Sequence, residues 1–283
     1  MDYKYNELAY AEKVYENGFL TKYFATELRL LVLYYRDVLE LKPKEREFKI
    51  YEFCRKYIPN FRKEKFYKTI NRALNNGGKK DQKLISISKI DIYKLELDYI
   101  NSLDINQEYK KVMFTFLVQL RLNKIIFEYR HEGEEYNMSY FKGGVKKYNN
   151  IKRISNIPVK MLLNDEVINT LEKLELVTIV HKGTILLDYI KNCKQEGDVA
   201  FSITDFDNIG LYLDWFSKEN KIIKCENEGC EELFKQSNHT HKYCKICAKE
   251  IDKELNKERC KKYYNNKVSH GTEKSCNLTV ARV

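Results

Sequence analysis

"FRKEKFYKTINRALNN", Phe61 to Asn76, decides how the first half of this chain folds. Phe66, Ile70 and Leu74 recur every four residues, which places them on one face of an α-helix. The stripe leaves Arg62, Lys65, Lys68, Thr69 and Arg72 on the outer face, with Lys63 beside them at the start. Asn60 is placed to cap the helix. The run Asn75-Asn76-Gly77-Gly78 is placed to stop it, because glycine accepts the left-handed geometry of a helix end.

Working outward, two helices precede it. "ATELRLLVLYYRDVLEL" (Ala25 to Leu41) is apolar at Leu28, Leu31, Val32, Tyr35 and Leu39, and Lys42-Pro43 should end it. "EREFKIYEFCRKY" follows and stops near Pro59. Downstream, "KLISISKI" alternates Ile85 and Ile87 with Ser86 and Ser88, the period of a half-buried strand. Three helices and then a strand hairpin resemble the winged helix-turn-helix superfamily. That resemblance implies a third helix lying in a DNA major groove, where Arg and Lys meet phosphates and guanine edges.

The plan recurs with a different surface. "EYKKVMFTFLVQLRLNKIIF" (Glu108 to Phe127) is apolar nearly all round and should be buried. Asn164 is placed to cap "DEVINTLEKLEL", with Val167, Leu171 and Leu174 on one face, ahead of a hairpin, "VTIVHKGTILL", turning at Gly183. This again resembles a winged helix. Its third helix, however, carries Asp165, Glu166, Glu172 and Glu175, which phosphates repel. The second module is therefore expected to pack, to dimerise or to meet a protein partner. The connector "VAFSITDFDNIGLYLDWFSKENKII", which holds Trp215, should dock on it.

Charge is concentrated in the same places. Of a net +10, the stretch Phe53 to Lys80 carries nine Lys/Arg against one Glu, and Lys142 to Lys160 carries six against no acid. Two such basic stretches suggest a polyanionic partner. Beyond the helix residues, they add Lys79, Lys80, Lys146, Lys147, Lys152 and Arg153 as candidate nucleic-acid contacts.

"CENEGCEELFKQSNHTHKYCKIC" (Cys225 to Cys247) holds four of the eight cysteines, spaced Cys225-x4-Cys230-x13-Cys244-x2-Cys247. Two short-spaced thiolate pairs supply the tetrahedral shell that zinc prefers. His239 and His241 between them are the alternatives for one position. Knuckle, hairpin and a helix opening on the last pair resemble a treble-clef zinc finger. The CGNR type is similar in its Cys-x4-Cys pair, Phe234 and Tyr243, but Cys247 begins Cys-Ala-Lys-Glu and not the tetrad of that group. Four thiolates close the shell and imply a structural ion. HNH nucleases share the clef but need a histidine on the following helix, and Lys245 to Lys262 has none. Cys54 and Cys193 sit in apolar contexts suited to packing, and Cys260 and Cys276 read as free thiols. No phosphate-cradling loop, His-Glu-x-x-His helix or nucleophile elbow occurs.

The expected fold is mainly α with small β-hairpins. It comprises a winged-helix-like module over 1–105 and a second over 106–195, a connector over 196–222, a treble-clef finger over 223–267 and a flexible tail over 268–283. No secretory signal and no apolar run of about 20 residues is present, so a cytoplasmic protein without a membrane partner is expected. The expected function is non-enzymatic binding of double-stranded DNA with one structural Zn2+, in transcription or replication. Short winged-helix proteins with a finger resemble cargo of Gram-positive phages and mobile elements. The rival is a zinc-stabilised adaptor between proteins, which the 22 tyrosines would suit.

Overall fold

The computed structural model describes residues 5–131, 133, 134, 136, 139–181 and 183–268, with side chains to 264. The chain forms two compact units, Met1–Leu213 and Asp214–Val283. The tail expected over 268–283 and Cys276 lie, beyond Val268, outside the described residues.

The first unit begins with helix α1 (Glu7–Asn17), which the sequence patterns did not announce, and continues through α2 (Phe24–Asp37), α3 (Pro43–Tyr57) and α4 (Lys63–Gly77). Leu28, Leu31, Ile50, Phe53, Cys54, Ile70 and Ala73 form one core with Ala11 and Val14 of α1. Glu27, almost wholly buried, ties the turn after α1 by accepting from the Tyr10 and Thr21 hydroxyls (2.8 Å each) and from Leu20 N–H (3.1 Å). Pro43 does not merely end α2. It opens α3 at a position whose N–H needs no partner, and the Glu45 carboxylate accepts from Lys42 N–H at 2.7 Å.

Both ends of α4 differ from expectation. Asn60 sits at φ 53° and caps nothing, while Arg62 precedes the helix in an extended conformation without a capping bond. Gly77 is the last helical residue and Gly78 closes the helix at φ −80°, so neither is left-handed. Gly77 is there because a Cβ would lie 2.7 Å from Val32 Cγ1.

No wing follows α4. Ile85 and Ile87 are buried as the alternation requires, but among the described residues their segment meets the N-terminus only at an isolated bridge, Asn6 to Ser86, where Ile87 N–H donates to Tyr5 O at 2.8 Å and Leu8 N–H to Ile85 O at 3.2 Å. Strand β1 comes later (Ile90–Tyr93), and its partner lies more than a hundred residues away. Next come α5 (Lys94–Ser102) and α6 (Gln107–Arg130), which is capped by the Asn106 side chain and is the central buried helix.

Around α6 stand β2 (Tyr140–Lys142), α7 (Val145–Ile154), a π-helical turn over Leu163–Ile168 running into α8 (Asn169–Lys173), and the hairpin β3 (Thr178–His181) to β4 (Thr184–Leu186). The sheet order is β2-β4-β3, all antiparallel, and Gly183 turns the hairpin at φ 77°. Asn164 lies inside the π-helical turn and does not cap it. Val167 and Leu171 are buried, while Leu174 is about half exposed. Phe141 joins the layers, its ring meeting Phe116 at 4.9 Å and Tyr148 at 5.3 Å.

The connector is no appendage of the second module. Its strand β5 (Val199–Ile203) pairs with β1, aligning Ile92 with Phe201 and Ile90 with Ile203. Helix α9 (Ile209–Phe216) follows and carries the chain to the second unit. That unit consists of the hairpin β6 (Ile222–Lys224) to β7 (Leu233–Lys235) and the long helix α10 (Lys245–Val268).

Candidate metal centre and candidate nucleic-acid interface

Hairpin and helix bring the two cysteine pairs together. Cys225 leaves β6 and its N–H donates to Glu232 O at 2.9 Å, which turns the chain back toward β7. Gly229 makes the knuckle possible at φ 77°, a conformation side chains disfavour. Cys244 precedes α10, and Cys247 lies in its first turn. The Sγ atoms of Cys225, Cys230, Cys244 and Cys247 all lie within 4.8 Å of one another. Cys230 and Cys244 are 4.0 Å apart, near the edge of about 3.8 Å that zinc–sulfur bonds of about 2.3 Å give a tetrahedron.

Further donors aim at the sulfurs. Cys244 N–H points to Cys225 Sγ (3.3 Å), Cys247 N–H to Cys244 Sγ (3.5 Å), and the Asn227 amide to Cys247 Sγ (3.3 Å). Such N–H groups stabilise thiolates and orient metal ligands. Burial and the neighbouring thiols push Cys230 and Cys244 upward. At Cys225 burial is outweighed by donation from backbone N–H groups, and its thiol falls below the ordinary range. A cation among the four would remove the repulsion between thiolates, so this donor set fits a metal ion. Sequence reasoning passed over Asn227, although an Asn in a Cys-x4-Cys turn was its signal.

The histidines are engaged elsewhere. His241 packs its ring on Phe234 at 4.8 Å and its Nδ1 meets Ser237 Oγ at 3.0 Å, while His239 is exposed. Among the described residues neither joins the cysteine group. Cys54 and Cys193 are packing residues, since burial pushes each thiol up to about 12. Cys260 on α10 is half-buried and unbonded.

Helix α4 separates its faces cleanly. Ile70, Ala73 and Gly77 are buried, with Phe66 and Leu74 partly so, while Arg62, Lys63, Lys65, Lys68 and Arg72 are exposed. Lys63 lies over the Tyr51 ring at 4.7 Å, and Thr69 is half-buried rather than outward. Arg62, Lys65, Lys68 and Arg72 make no ion pair or side-chain hydrogen bond among the described residues. Arg36 of α2 fixes the loop that follows by donating to the carbonyls of Gly77, Lys79 and Gln82, and leaves the Lys79 and Lys80 side chains in solvent.

The α7 stretch differs. Lys147 donates to Lys142 O at 2.8 Å, Lys152 to Met161 O at 2.5 Å and to Val159 O, and Arg153 pairs with Asp207 at 2.7 Å. Of its four candidates only Lys146 is exposed without an ion pair or hydrogen bond among the described residues. The acids behave likewise, Glu172 accepting from Ile179 N–H at 3.1 Å.

Compared with protein-family models, curated proteins and solved structures, the chain matches none of them. Among the described residues no helix is long and apolar enough to cross a membrane.

Proposed function

We propose that this chain is a non-enzymatic DNA-binding protein whose second unit is built on one structural Zn2+. The observation that carries it is the outer face of α4, where Arg62, Lys65, Lys68 and Arg72 stand exposed without an anionic partner. Other cations of the first unit are held by its acids, as Arg29 is by Glu7 at 2.8 Å and Arg153 by Asp207 at 2.7 Å. The winged-helix character expected of two modules is proposed only for Gln107–Leu186. Its order of helix, strand, two helical segments and hairpin, with strands β2-β4-β3, supports it. The acids on its third helical segment suit packing or a protein partner better than phosphates.

Duplex binding across a salt series tests the proposal. Lys65→Ala with Lys68→Ala should make the slope of log K against log salt shallower by about two, with the melting temperature unchanged. Binding that survives this change intact would remove α4 from the interface. A second reading, a protein-docking adaptor, is favoured by one feature. An open groove of about 870 Å³ between α1, α2 and α3 is lined by Tyr15, Tyr35, Leu39, Phe53 and Tyr57. An adaptor would show no salt-dependent retention on heparin or random duplex.

A further inference from the structure

Helix α10 has a feature the zinc clamp does not use. Lys245, Lys249, Lys253, Lys257 and Lys261 recur at every fourth position, a row that winds about 40° round the helix per step, so Lys249, Lys253 and Lys257 share one face and the outer two flank it. At 1.5 Å per residue, successive lysines are about 6 Å apart and the row is about 24 Å long. All five side chains are exposed, and none has an ion pair or hydrogen bond among the described residues. The midpoint, Lys253, falls about half a turn round from Cys244, Cys247 and Ala248, the side the clamp holds.

The described residues of the unit cover only the start of this helix. From Asp252 to Tyr264 every residue is exposed except Cys260, so about half of the element buries little among the described residues. Helices in proteins draw most of their stability from packing an apolar face, and this stretch offers little of one. Charge is also unevenly shared. Asp214–Cys244 holds five Lys/Arg against six acids, whereas α10 holds eight against four. The acids Glu250, Glu254 and Glu258 form a neighbouring ridge without closing on the lysines, and none follows Glu258 within the helix.

We infer that this lysine ridge is a second phosphate-backbone surface, carried by the zinc unit and separate from α4. The occupant is a nucleic-acid strand, because ammonium groups about 6 Å apart on one helix face can follow a run of backbone phosphates. Lysine offers point charges without the planar fork that reads guanine, so the ridge would add affinity without sequence preference. The inference rests on the DNA-binding proposal but makes a separate demand.

The test uses the full chain with Lys249→Gln, Lys253→Gln and Lys257→Gln combined, substitutions that keep helix propensity. The slope of log K against log salt for a random duplex should become shallower by two to three, roughly 0.9 per lost phosphate contact. Zinc content and melting temperature should not change, and the same three positions as Arg should restore the slope. An unaltered slope in the triple Gln variant overturns the inference. Running Lys65→Ala/Lys68→Ala beside it separates the claims. If only the α4 variant weakens, the proposed function stands and the ridge does not. If only the ridge variant weakens, α4 is excluded. If the native chain binds no duplex, both fall.

Discussion

Arg121 of α6 holds a carboxylate that has been taken out of water. Glu96 is fully buried and accepts from the Arg121 guanidinium, which also donates to Asp91 O at 2.6 Å. Burial pushes the Glu96 carboxyl above its ordinary range, against the downward pull of Arg121. In Arg121→Met that pull is gone, and stranding one partner of a buried pair costs about 3–5 kcal/mol. The folded carboxyl then rises further while the unfolded one stays near 4.3. The folded state therefore binds the proton more tightly. Stability is present below the unfolded pKa and is lost as pH climbs through the folded one. Arg121→Met should melt higher at about pH 5 than at about pH 8, a trend thermal circular dichroism would read, and a flat profile would contradict it. Gly77 illustrates a steric constraint at the same scale. Its Cβ would meet Val32 Cγ1 at 2.7 Å and Arg29 O at 3.1 Å, so Gly77→Ala should lose about 1–3 kcal/mol in urea unfolding. Unchanged stability would mean that α2 and α4 part without cost.

At the scale of elements, what the sequence made legible was local. The four-residue recurrence of Phe66, Ile70 and Leu74, the all-round apolarity of α6 and Gly183 between two extended runs each reflect contacts within a few positions. The cysteine spacing belongs to the same kind, and the four cysteines that the fold brings together were readable from it. The pairing of β1 with β5 was not. Ile90 and Ile203 meet through a loop closed over more than a hundred residues, and no periodicity records which distant strand is the partner. The same blindness produced a wing after α4, where Ile85 and Ile87 are buried against the N-terminus. Nor could spacing show that Lys147, Lys152 and Arg153 are occupied by Lys142 O, Met161 O and Asp207. Because β5 completes the first unit, Ile203→Ala, which empties a fully buried position, should cost about 2–5 kcal/mol and lower the main unfolding transition. A loss under about 0.5 kcal/mol would place Val199–Ile203 outside the cooperative fold.

For the whole molecule, the two units rest on different stabilising physics. Met1–Leu213 has an extended apolar interior, whereas the second unit buries Cys225, Cys244 and Cys247 with Ile222 and Leu233 as its few aliphatic companions. So small an interior does not stabilise a fold alone, and the proposed zinc would supply the folding energy it lacks. Chelation should therefore melt the second unit, α10 with it, and leave the unfolding of the first unit in place. In calorimetry, the high-temperature transition should persist, while helical ellipticity falls by the share that α10 contributes. The consequence for binding follows from the same separation. A chelated chain keeps the α4 face and loses the straight rod that spaces its lysines, so its salt slope should fall to that of the triple Gln variant. A chelated chain that keeps both its helicity and its native slope would show that α10 stands without the clamp. The four cysteines would then need another purpose.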